Sequence, residues 1–100
     1  MHVVILSPDA EADVDELVAH YEANDRLEAA QNLLRAVDVA KMRVGRAPGA
    51  GLAAPRPYPK LKRRGVKWII EGNYWFAYID QAEPMIIAVF YAAADIPNRF

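Results

Sequence analysis

Nine of the twelve lysines and arginines lie between Lys41 and Lys67, and that stretch contains no Asp or Glu. Its densest part holds Lys60, Lys62, Arg63, Arg64 and Lys67. A one-signed run creates a local positive potential that attracts phosphate backbones or an acidic protein surface, even where the net charge is only −1. The bland alternative is a solvated surface loop, and the Lys62-Arg63-Arg64 triplet beside a strand favours contact with an anion. Other chemistries have little to work with. Without cysteine there are no disulfides, thiolate metal sites or cysteine nucleophiles. The histidines His2 and His20 would need carboxylates to complete a zinc site, so no metal and no cofactor is expected. Ser7 is the single hydroxyl nucleophile, with no threonine in the chain, and it has a better structural use.

The elements that must carry these residues follow from spacing. One hundred residues, 54% of them apolar and 25% charged, predict one domain over residues 1–100 with function on an open surface. His2 to Leu6 is β-branched and predicts a strand. Ser7-Pro8-Asp9 predicts a helix start. Ser7 would accept a backbone N–H as N-cap, Pro8 has the φ of the first helical position, and Asp9 suits the positive end of the dipole. Ala10, Val14, Leu17, Val18 and Tyr21 then recur at helical spacing. Asp25 with Glu28 predicts a capping box opening a second helix, with Leu27, Ala30, Leu34, Val37 and Val44 as its apolar stripe. Gly45 ends it. From there to Pro59, three glycines and four prolines predict a long loop of mostly extended chain.

The last third changes character. Val66 to Glu71, Tyr74 to Asp80 and Met85 to Tyr91 are rich in β-branched and aromatic residues, and Gly72-Asn73 predicts a two-residue hairpin turn of the type that takes Gly first. The architecture is α+β with the order β-α-α-β-β-β, a helix hairpin packed on one face of a small, mainly antiparallel sheet joined by the N-terminal strand. Tyr74 and Tyr78, four apart on one side of a strand, are expected to pack rather than to catalyse. Trp68, Trp75 and Phe76 have the rings to stack bases, but the basic residues stop at Lys67. The longest apolar run, Met85 to Ala94, is ten residues where a membrane span needs about twenty. The start lacks the apolar length and basic lead-in of a signal peptide, so a cytoplasmic location is expected.

This order of elements, with Leu6-Ser7-Pro8, Ala10 and Asp13 at the entrance to the first helix and Gly65-Val66-Lys67 leading through Gly72-Asn73-Tyr74 to Tyr78, resembles the RelE/ParE superfamily of toxins from type II toxin–antitoxin systems. The resemblance spans nearly the whole chain and implies one of two activities: ribosome-dependent cleavage of messenger RNA, as in the RelE branch, or inhibition of DNA gyrase, as in the ParE branch. It also implies a cognate antitoxin that wraps the toxin as helix and extended chain.

Two departures count against RNA cleavage. The His-x-x-Arg-Asp type of block that commonly ends the last strand in the superfamily is here Tyr91-Ala92-Ala93-Ala94-Asp95, so alanine stands in place of arginine. The strand arginine of the ribonuclease branch falls near Ile69 or Ile70, both apolar, whereas Gly65-Val66-Lys67 matches the Gly-Leu-Arg of ParE-like chains with lysine for arginine. A metal-free ribonuclease needs a base for the 2′-hydroxyl, cations for the phosphate and an acid for the leaving oxygen. Lys60, Lys62, Arg64 and Tyr91 are the candidates for such a centre. The leading expectation is a ParE-like toxin without a catalytic residue, with Lys60, Lys62, Arg63, Arg64 and Lys67 contacting gyrase or the antitoxin. A non-toxic binding module is a second alternative, consistent with Ala94.

Overall fold

The computed structural model describes residues 3–93. Strand β1 (Ile5–Leu6) leads into helices α1 (Pro8–Ala23) and α2 (Leu27–Arg46), and strands β2 (Val66–Glu71), β3 (Tyr74–Ile79) and β4 (Met85–Tyr91) complete the order. The sheet runs β1-β4-β3-β2, with β1 parallel to β4 and the other pairs antiparallel. This is the expected α+β arrangement. Regular pairing in β1 covers less than the expected strand, because Ser7 already turns the chain into the helix and His2 lies outside the described residues.

Ser7 caps α1 as its position implies. Its side chain accepts from the Ala10 N–H at 3.1 Å, and its own backbone N–H donates to Ile86 O at 2.8 Å, tying the helix start to β4. The second helix start differs from expectation. Asp25 takes a left-handed φ of 55° to close the two-residue turn, Arg26 occupies the cap position, and no side chain caps α2. An aspartate tolerates that conformation better than most residues, and the turn uses it for this instead of a capping box.

The buried face of α2 is also rotated from the expected stripe. Ala30, Leu33, Ala36, Val37, Ala40 and Val44 are buried, whereas Leu27 and Leu34 stand 62% and 49% exposed. Small residues decide this: alanines at 36 and 40 let the helix backbone settle close to the sheet, which larger side chains on that face would prevent. The helix also continues through a buried Gly45 to Arg46, and ends only as Pro48 approaches.

Both faces of the sheet are covered. Under the helices Ile69, Tyr74, Phe76, Tyr78, Ile86 and Val89 pack against α1 and α2. On the other face Trp68, Trp75, Ala77, Ala88 and Phe90 form a second cluster, with Leu52, Tyr58 and Leu61 from the long loop packed on it. That loop is not the mostly extended chain expected. It makes 3-10 turns at Pro48–Ala50 and Pro59–Leu61, and between them Leu52 pairs with Trp68 through two backbone hydrogen bonds of 2.7 and 2.8 Å. The hairpin between β2 and β3 has a positive φ of 58° at Gly72 and none at Asn73, in keeping with a turn that takes glycine first. No helix among the described residues is long and apolar enough to cross a membrane.

Candidate functional site

The segment from Ala47 to Gly65 acts as a strap. It begins on the helix side of the sheet, rounds the outer edge of β2 where Leu52 pairs with Trp68, and crosses the opposite face on Tyr58 and Leu61. Its underside is apolar, so its charges point outward: Arg56, Lys60, Lys62, Arg63 and Arg64 are all exposed. Lys67 sits on β2 opposite Tyr78 and is half-buried. The expected contact residues therefore lie on the strap and at the start of β2, with no acid between them. Such an outward row of cations over an apolar base projects positive potential into solvent.

Not every basic residue of the run is part of that surface. Arg43, near the end of α2, donates to Ile70 O at 2.6 Å and pairs with Glu71 at 3.1 Å, fastening the helix to the edge strand. Trp68 and Phe76 are fully buried and Trp75 nearly so, so none offers a face for base stacking.

Of the four candidates for a ribonuclease centre, Lys62 and Arg64 lie apart from Tyr91 along the sheet. Lys62 and Arg64 precede Val66, which pairs with Ile79 at one end of the sheet; Tyr91 pairs with Tyr74 next to the β2–β3 hairpin at the other. Five residue steps of strand separate these ends, about 17 Å at the rise of an extended chain. Where the ribonuclease branch would place a strand arginine, Ile69 is buried under the helices and Ile70 packs with the second cluster. Ala94 and Asp95 lie outside the described residues. Among the described residues no group of three His, Asp or Glu side chains is placed to hold a metal ion.

The sequence gives little sign of a second feature, a cleft of about 770 Å³ between the turn joining the two helices and the β2–β3 hairpin. Tyr21, Tyr74 and Tyr91 line it together with His20, Arg26 and Arg35. The Tyr21 and Tyr74 hydroxyls share a hydrogen bond of 2.5 Å. Burial, followed by that hydrogen bond, pushes the Tyr74 phenol well above its ordinary range. The Arg26 guanidinium lies 5.4 Å above the Tyr21 ring, and Tyr91, 42% exposed, meets the Tyr74 ring edge-on at 5.9 Å. Two of these tyrosines read in the sequence as packing positions, and the third as a strand end and a candidate for a ribonuclease centre. Only the meeting of α1 with the hairpin turns them into one wall.

Comparison with protein-family models and with curated proteins finds no match to the sequence. Comparison of folds does. A chain in the solved structure of the chromosomal ParDE TA system from P. aeruginosa superposes with a TM-score of 0.64 at 18% identity, covering 91% of this chain and 96% of that one. The fold is ParE-like. At this identity the agreement is one of architecture, and it extends over nearly the full length of both chains.

Proposed function

We propose that this chain is the toxin of a type II toxin–antitoxin system, that it inhibits DNA gyrase by binding it, and that a cognate antitoxin neutralises it. The observation that carries this reading is the ParE-like fold shared over nearly the whole of both chains with a component of a ParDE TA system. The strap fits a binding role. Lys60, Lys62, Arg63, Arg64 and Lys67 form an exposed or half-exposed positive rim suited to an acidic protein surface, the antitoxin or the target. The separation of Lys62 and Arg64 from Tyr91 along the sheet favours binding over RNA cleavage, because general acid–base catalysis needs its groups within hydrogen-bond reach of one reacting centre.

The test is induction of the chain alone in a bacterium, with DNA and protein synthesis followed by pulse-labelling over the first minutes. An early fall in DNA synthesis is expected, and purified protein should block gyrase supercoiling in vitro. An early fall in protein synthesis instead would move the function to the ribosome. Soluble accumulation with neither effect would leave a binding module without toxicity. Replacing Lys60, Lys62, Arg63 and Arg64 together by alanine should abolish growth arrest if the strap is the contact surface.

A further inference from the structure

The basic strap leaves the helix side of the sheet at a tight contact, and the geometry points to Tyr78 and Gly51 as the clasp that positions it. Tyr78 projects from β3 on the helix side, and its hydroxyl donates to Pro48 O at 2.6 Å. Gly51 lies directly against the same hydroxyl. Gly51 is pressed so closely here that a Cβ would collide with the Tyr78 hydroxyl and lie 2.8 Å from Lys67 Cβ. Glycine is thus required by close approach, and no positive φ is involved. One residue later, Leu52 makes its two backbone bonds to Trp68 at the sheet edge.

Beyond Leu52, among the described residues, the backbone hydrogen bonds of the strap are local. Tyr58 N–H donates to Pro55 O, Leu61 N–H to Tyr58 O and Val66 N–H to Arg63 O, and the chain rejoins the sheet only where Asp80 N–H donates to Gly65 O. The course of the cationic segment over the second face is thus set by where the clasp releases it, together with side-chain packing by Leu52, Tyr58 and Leu61 and the further contacts that Tyr58 and Arg63 make. Tyr78 and Gly51 carry no charge and lie under the strap's entry. They act through the cations they place, as positioning residues for the contact surface. This part of the inference rests on the toxin reading above; the clasp itself does not.

Hydrogen exchange on the full-length chain tests it, with Tyr78→Phe as the first variant. The Leu52, Tyr58 and Leu61 amides should exchange about five- to tenfold faster, the effect of losing one buried hydrogen bond, while the Phe76 and Val89 amides keep their rates. Growth arrest should weaken in step with the strap amides. Gly51→Ala, a second variant that leaves the phenol in place, should loosen the same amides. The double variant should be less perturbed than the two single effects combined, because Phe at 78 removes one of the atoms that the new methyl strikes.

Unchanged strap amides in both single variants, or a rise only in parallel with Phe76 and Val89, would overturn the clasp. If the strap loosens but a toxic wild-type chain and its variants arrest growth equally, the positioning role falls. If the strap loosens and the wild-type chain arrests nothing, the clasp stands and the toxin reading fails.

Discussion

The face of the sheet under α1 and α2 is closed by two helices with their own backbone hydrogen bonds, set down on it through Ala10, Leu33, Ala36 and Ala40. The opposite face is closed by a proline-rich strap that contributes Leu52, Tyr58 and Leu61, all partly buried, over a floor that includes the fully buried Trp68. Helices cover a sheet continuously, because each turn presents a side chain to it and the small ones allow close approach. A strap covers it at a few points and is held by its ends. The first arrangement supplies stability; the second leaves a charged outer surface whose position is set by few contacts. Segments of that kind are where local opening is cheapest, and binding surfaces are often found on them.

The contrast is tested first with one residue type on both faces. Leu33→Ala, at a site with no exposure, should cost about 3 kcal/mol or more, whereas Leu61→Ala on the strap should cost about 1 kcal/mol. Urea denaturation measures both, and equal losses would break the comparison. Next in size is Tyr74→Phe, which leaves the buried Tyr21 hydroxyl without its partner and should cost about 1–2 kcal/mol.

The same phenol gives a pH signature. Its folded-state pKa is raised, so the unfolded chain ionises first; the stabilisation is complete below the ordinary value of 10.0 and is lost as pH rises above it. Stability measured across alkaline pH should therefore fall from about pH 10 upward, and more steeply in the wild type than in Tyr74→Phe.

Gly72→Ala places a side chain at a φ of 58° and should cost about 1 kcal/mol by thermal or urea unfolding, with the hairpin amides next to the turn losing most protection. The smallest effect is expected at the Arg43–Glu71 pair, which is partly exposed on both sides. Glu71→Gln should cost about 0.5 kcal/mol or less, and raising the salt concentration should erase the difference. A large effect there would mean that the edge strand depends on this pair more than on packing.

Several elements were legible because one local signal was enough. Ser7-Pro8-Asp9 marks a helix start through capping and φ preference alone, and Gly72-Asn73 marks a tight hairpin through positive φ alone. The β-branched and aromatic runs marked the three meander strands to within a residue at their ends. Asp25 and the face of α2 were misread for a common reason. A turn competes with a cap for the same aspartate, and counting large apolar residues along α2 gave too little weight to alanine, whose value lies in how near it lets a neighbour come. The cations of the site were visible as charge, but the cleft walled by Tyr21, Tyr74 and Tyr91 was not, since its residues come from a helix and two strands.

The amino-acid sequence by itself determined the kinds of element, their order and the cationic run, because capping, turn chemistry, periodicity and charge are properties of neighbouring residues. Tertiary structure alone decided that a segment read as a long loop of mostly extended chain would become the cover of a second apolar face, with its cations turned outward. It also decided that Lys62 and Arg64 would sit at one end of the sheet and Tyr91 at the other. Both depend on strand register and on the β2 edge around which the strap passes, and these exist only after distant segments have paired.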